Sequence, residues 1–140
     1  HSFSNGLLEA IVQCHTEQQS VLLVGYDTAT PHALTGGHED TIPMAVALVL
    51  SAKASRSTQG VLHCALKPSQ GPQSLPQSVC AQQQMATGMA QAWSLLEALA
   101  STKTTQFHLT LSAHQTFAIQ YKSLHRTSTD PHSVLNNEHS

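Results

Sequence analysis

The chain has little charge. Only 10% of its 140 residues are Asp, Glu, Lys or Arg, and formal net charge is -2. Six basic against eight acidic residues cannot make a phosphate-neutralising surface, so nucleic acid is excluded as a partner. No apolar run approaches the length of a membrane span. Cysteine is scarce too: Cys14, Cys64 and Cys80 are odd in number and irregular in spacing, which excludes a disulfide framework and reads as reduced cytosolic thiols. There is no CxxC or HxxxH pair of the kind a four-ligand zinc site needs, and no GxSxG elbow for a serine hydrolase. No internal repeat and no signal peptide is visible.

What is present is one domain's worth of chain, 40% apolar, in which Gln, Ser, Thr and His take the place of charge. Everything is organised around residues 2–26, SFSNGLLEAIVQCHTEQQSVLLVGY. Leu7, Leu8, Ile11 and Val12 recur at helical spacing and predict a short buried helix, with Ser4 and Asn5 placed to cap it. A polar break over residues 15–20 precedes VLLVGY, an unbroken apolar run that predicts a strand buried on both faces. Helix beside buried strand is half of a βαβ unit. The preceding strand would lie before residue 1, and we expect an N-terminally incomplete chain.

Residues 27–42 hold Pro31, Gly36 and Gly37 and read as a long surface loop. Residues 44–50, MAVALVL, predict a second strand buried on both faces, and residues 61–66, VLHCAL, a third. Residues 67–78 contain three prolines and form an extended connector. From 79 to 100 the period becomes helical, with Met85, Met89, Ala92, Trp93, Leu96, Leu99 and Ala100 on one face; this stripe reads as core, not as a cofactor site. Phe107, Leu109 and Leu111 alternate with polar residues, as do Phe117, Ile119 and Tyr121, so a hairpin turning near residues 112–114 is expected. We place a partial domain at 1–124 and a polar, disordered or partner-docked tail at 125–140.

Chemistry-bearing candidates are few. Cys14-His15 and His63-Cys64 are adjacent pairs whose side chains diverge, and the ten histidines read as scattered polar or half-buried residues. His38-Glu39-Asp40 has the composition for binding a cation or for acid/base work, but reads as solvated loop. Cys14 lies late in its helix, the wrong end for thiolate stabilisation; Cys64 is mid-strand; Cys80 adjoins the proline-rich connector. None has the setting of a nucleophile, and no metal site and no cofactor is implied.

The blocks SFSNGLLEA, VLLVGYD and PMAVALVLS resemble the β-ketoacyl synthase-like proteins, and within them the chain length factors of aryl polyene-type biosynthesis. The residues that carry the likeness are Ser2, Phe3, Gly6, Leu7, Leu8, Glu9, Ala10, Tyr26 and Asp27. GMAQAWSLLEALA and FHLTLSAHQTFAIQY are similar to that branch's C-terminal helix and strands, so the likeness covers residues 2 to about 122. It implies an α/β fold of the thiolase-like, layered α/β/α/β/α kind, here partial: a mixed sheet with the first helix as a buried central layer.

In active members this helix carries a nucleophilic Cys at its N-terminus, where free N–H groups and the helix dipole stabilise a thiolate. Anchored on Gly6, the likeness puts Phe3 at that position; a shift of a few residues puts it at His1 or before the chain, and neither gives a thiol. The family's His-Gly-Thr-Gly-Thr context is missing, and Gly37-His38 runs into Glu-Asp-Thr, which does not match its Gly-His context. The resemblance therefore implies a non-catalytic, cytoplasmic subunit that pairs with a ketosynthase as a heterodimer and shapes the acyl tunnel, with acyl carrier protein an indirect partner. Phe3, Gly6, Leu7, Leu8 and Ile11 are its expected tunnel or interface residues. Two other readings stand beside it. One is an active synthase whose nucleophile lies before residue 1. The other is a structural or binding module using the His-rich surface.

Overall fold

A computed structural model describes residues 2–28, 43–69 and 89–124. The order of elements is α1 (Ser2–Glu17), β1 (Val21–Asp27), β2 (Met44–Leu50), β3 (Gly60–Pro68), α2 (Ala92–Ala100), β4 (Thr105–Thr110) and β5 (Gln115–Ser123). The fold is α/β, with two small sheets and two helices among the described residues, consistent with part of a thiolase-like fold. Strands β1 and β2 pair antiparallel, Val21 opposite Leu50 and Asp27 opposite Met44. Strands β3, β5 and β4 form the second sheet with β5 in the middle. Every pairing among the described residues is antiparallel, where a mixed sheet was expected.

Helix α1 starts earlier and runs further than its apolar period suggests. Ser4 and Asn5 lie inside it, not at its cap, and it continues through the expected break to Glu17. Gln18, at φ 55, then turns the chain out of the helix and its Nε2 donates to the carbonyl of His15 at 2.7 Å. A left-handed residue just past the last turn is an ordinary helix stop. Phe3, Ser4, Leu7, Ala10 and Cys14 form the buried face. Asn5, Glu9, Val12 and Gln13 form an open flank, along which Gln13 Nε2 donates to Glu9 Oε1 at 3.4 Å. The helix is thus covered on its buried face, by β1 and β2 along its length and by the end of β4 at Ser4, and is open on the other. Polar residues at i, i+4 and i+8 explain why the other side tolerates water.

The expectation that β1 and β2 are buried on both faces is also corrected. Both alternate, and only Val46 is fully buried. Val21, Leu23, Met44, Leu48 and Leu50 face inward, whereas Leu22, Val24, Tyr26 and Val49 stand in solvent, Tyr26 and Val49 each 72% exposed.

In the second sheet the alternation matches expectation. Phe107, Leu109, Phe117, Ile119 and Tyr121 point to the core, and β4 and β5 form the expected hairpin. Its turn is held by Leu111 and Ser112 N–H groups donating to the carbonyl of Gln115. Helix α2 packs on β4 and β5. Met89, Ala92, Leu95 and Ala98 are its buried line, a rotation from the expected stripe: Leu96 and Leu99 are partly buried, Trp93 is half-buried and Ala100 is exposed. The first part of that predicted helix, the loop at 29–42 with His38, Glu39 and Asp40, most of the proline-rich connector, Cys80 and the tail at 125–140 lie outside the described residues. One apolar cluster joins α1, β2, α2, β4 and β5.

Candidate functional site

The N-terminal turn of α1 is where elements distant in sequence meet. Phe3 points inward and is 4% exposed. Beneath it is Gly25, in the interior of β1. A Cβ at Gly25 would lie 2.8 Å from Met89 Cε, 3.0 Å from its Sδ and 3.4 Å from Phe3 Cδ2. Glycine in a strand interior often marks such a close approach, and here the approach is made by a flexible thioether. Phe3, Gly25 and Met89 therefore form one apolar contact that closes the first turn of α1 onto the sheet.

Beside it is a polar contact. Ser4 is fully buried and its Oγ donates to the carbonyl of Thr110 at 2.6 Å. The N–H of Thr110 donates to Gln91 Oε1 at 2.7 Å. Strand β4 is an edge, and these side chains satisfy the outward backbone groups at its end. The arrangement ties the start of α1, the end of β4 and the entry to α2 into one corner.

Of the residues expected at a site, Phe3 and Leu7 are brought together in the buried cluster. Leu8 and Ile11 are partly buried against its margin. Gly6 is half-buried, and a Cβ there would meet Leu23 Cδ1 at an ordinary 3.6 Å, so packing does not demand a glycine. Sequence reasoning missed Gly25, Ser4 and Gln91 as members of this corner. The one available signal was the lone glycine inside VLLVGYD.

Among the described residues no thiol in this corner is poised to react. Cys14 is buried near the far end of α1, and Cys64 is in β3, directed at the core. Burial pushes the Cys64 thiol up to about 11, because a thiolate there would lose hydration without gaining a cation. A raised value leaves the neutral thiol dominant below that pH. Alkylation of folded protein by iodoacetamide at Cys64 should therefore keep accelerating from pH 8 toward pH 11, where an ordinary thiol has levelled off. Peptide-mass timing at several pH values measures it, and a plateau near pH 9 would contradict the burial account.

Among the described residues no three His, Cys, Asp or Glu side chains converge as metal ligands, and no helix is long and apolar enough to cross a membrane. No curated protein and no solved structure matches the chain. A family model does, that of the beta-ketoacyl synthase, N-terminal domain, over residues 1–131. With nearly all of its length matched, the chain belongs to the β-ketoacyl synthase N-terminal-domain family.

Proposed function

We propose that the chain serves as a non-catalytic, chain-length-factor-like subunit. It would pair with a ketosynthase as a heterodimer and help shape the acyl tunnel, in polyketide or fatty-acid biosynthesis of the aryl polyene type. What carries the reading is Phe3. Aligned on Gly6 with active members, it stands in place of the nucleophile, and its ring is packed on Gly25 beside Met89. A phenyl ring cannot form a thioester, but it can set how much apolar volume remains for an acyl chain. Phe3 and Leu7 would limit that volume, while Gly6, Leu8 and Ile11, along the half-covered margin of α1, would lie toward the partner. The complex would work in the cytoplasm, with acyl carrier protein delivering substrate to the partner. The exposed face of β1 and β2 supports the reading as well, since a surface that apolar suits a larger assembly.

Co-purification of the intact protein from its source should return a ketosynthase in equal amount. After incubation of the complex with acyl-carrier-protein thioester, intact-mass analysis should place the acyl adduct on the ketosynthase alone. Met89→Ala, which enlarges the apolar space beside Phe3, should shift products to longer chains, by about one two-carbon unit. An acyl adduct on this protein would replace the reading with that of an active synthase. Purification as a stable monomer without a partner would favour a free-standing binding module.

A further inference from the structure

The two sheets present opposite kinds of outer surface. Outward from the core, β3, β5 and β4 carry no large apolar side chain beyond the half-buried Val61, and no carboxylate. The register sets the pattern: His63 opposite Gln120 opposite Gln106, then Ala65 opposite Ala118 opposite His108, then Lys67 opposite Thr116 opposite Thr110, with Lys122 opposite Val61 at the other end. The two alanines floor a shallow groove of about 240 Å³, with His63, Lys67, Gln106, His108 and Gln120 around it. The side chains of His63, Lys67, Gln106, His108, Gln120 and Lys122 have no hydrogen-bond or ion-pair partner among the described residues. The described acids lie elsewhere: Glu9 and Glu17 on α1, Asp27 on β1, Glu97 on α2.

We infer that the outer face of the β3–β5–β4 sheet is a docking surface for an acidic segment of another protein. Charge and spacing both argue for that occupant. Strands are about 4.8 Å apart and alternate residues about 7 Å apart, so His108 stands roughly 12 Å from both His63 and Lys67. Groups so far apart cannot converge on one phosphate or one carboxylate. They match several carboxylates spread along a helix or an extended segment, with Gln106 and Gln120 supplying hydrogen bonds between them. Two lysines, with no arginine and no Phe, Tyr or Trp ring for stacking, are too sparse for nucleic acid. The inference does not depend on a chain-length-factor role, since it concerns the opposite surface from Phe3.

The test uses the full chain and a fluorescein-labelled dodecapeptide of alternating Glu and Ala, followed by anisotropy. Binding is expected at low salt and should weaken as salt rises. The double variant Lys67→Gln, Lys122→Gln should weaken it about tenfold, since each exposed charge contact contributes modestly. Lys53→Gln, in the loop after β2, should leave it unchanged. These sites are exposed, and circular dichroism will show that the variants remain folded. Failure of the peptide to bind at low salt would overturn the inference. So would equal affinity in the double variant, or an oligothymidine of similar charge binding as tightly, which would mean unselective attraction to anions.

Discussion

Tyr121→Ala is expected to remove about 3–5 kcal/mol of stability, the usual range for truncating a buried aromatic ring. Tyr121 is the largest of the fully buried side chains. It lies on the central strand, opposite Leu62 on one side and Thr105 on the other. Its ring occupies the space a side chain would need at Gly60, and its hydroxyl donates to the carbonyl of Gln59 at 3.3 Å. A small domain has only about 5–15 kcal/mol in total, so the variant should be largely unfolded in mild urea. Tyr121→Phe keeps the ring and loses one long hydrogen bond, and should cost only about 0.5–1.5 kcal/mol. Urea denaturation followed by circular dichroism separates the two. Equal losses would mean that the hydroxyl, not the packing of the ring over Gly60, holds the strands together.

Leu7→Ala should cost about 2–5 kcal/mol, because Leu7 is wholly buried where α1 meets the sheet. On the same helix, Val12 is 53% exposed, and Val12→Ala should change stability by no more than about 0.5 kcal/mol. The contrast is the informative quantity. If Val12→Ala were the costlier change, the helix would face the sheet with its other side, and Phe3 would not lie over Gly25.

Much of this could be read from the chain. The alternation of Phe107 and Leu109, and of Phe117, Ile119 and Tyr121, locates β4, β5 and their inner face, because a period of two has one physical meaning. Apolar runs locate β1 and β2 but say nothing about how many faces are covered. Leu22 and Val24 look like core residues in sequence; whether they are buried depends on what else packs there, and that is set by distant or separate chain. The buried stripe on α2 is rotated from the expected one, since Ala92, Leu95 and Ala98 pass three apart along a helix rich in apolar residues on several sides. The corner at the start of α1 was half legible. Phe3 and Leu7 stand in the motif, while Ser4 reads as a cap, because a serine near a helix start usually is one. Its bond to Thr110 spans most of the domain and leaves no local trace.

The position of β5 has a consequence for how the molecule comes together. Strand β4 is joined to it by a short turn, whereas β3 must be recruited from a remote part of the sequence. Hairpin closure takes microseconds, but long-range recruitment first spends the entropy of a large loop. For that interval β5 has an empty flank, open to any strand of suitable length. Gly60 sets the alignment of the incoming strand, because only there can the chain pass beneath the waiting tyrosine ring. A slip by one residue would bring a side chain against that ring, so the correct alignment is enforced by the missing Cβ.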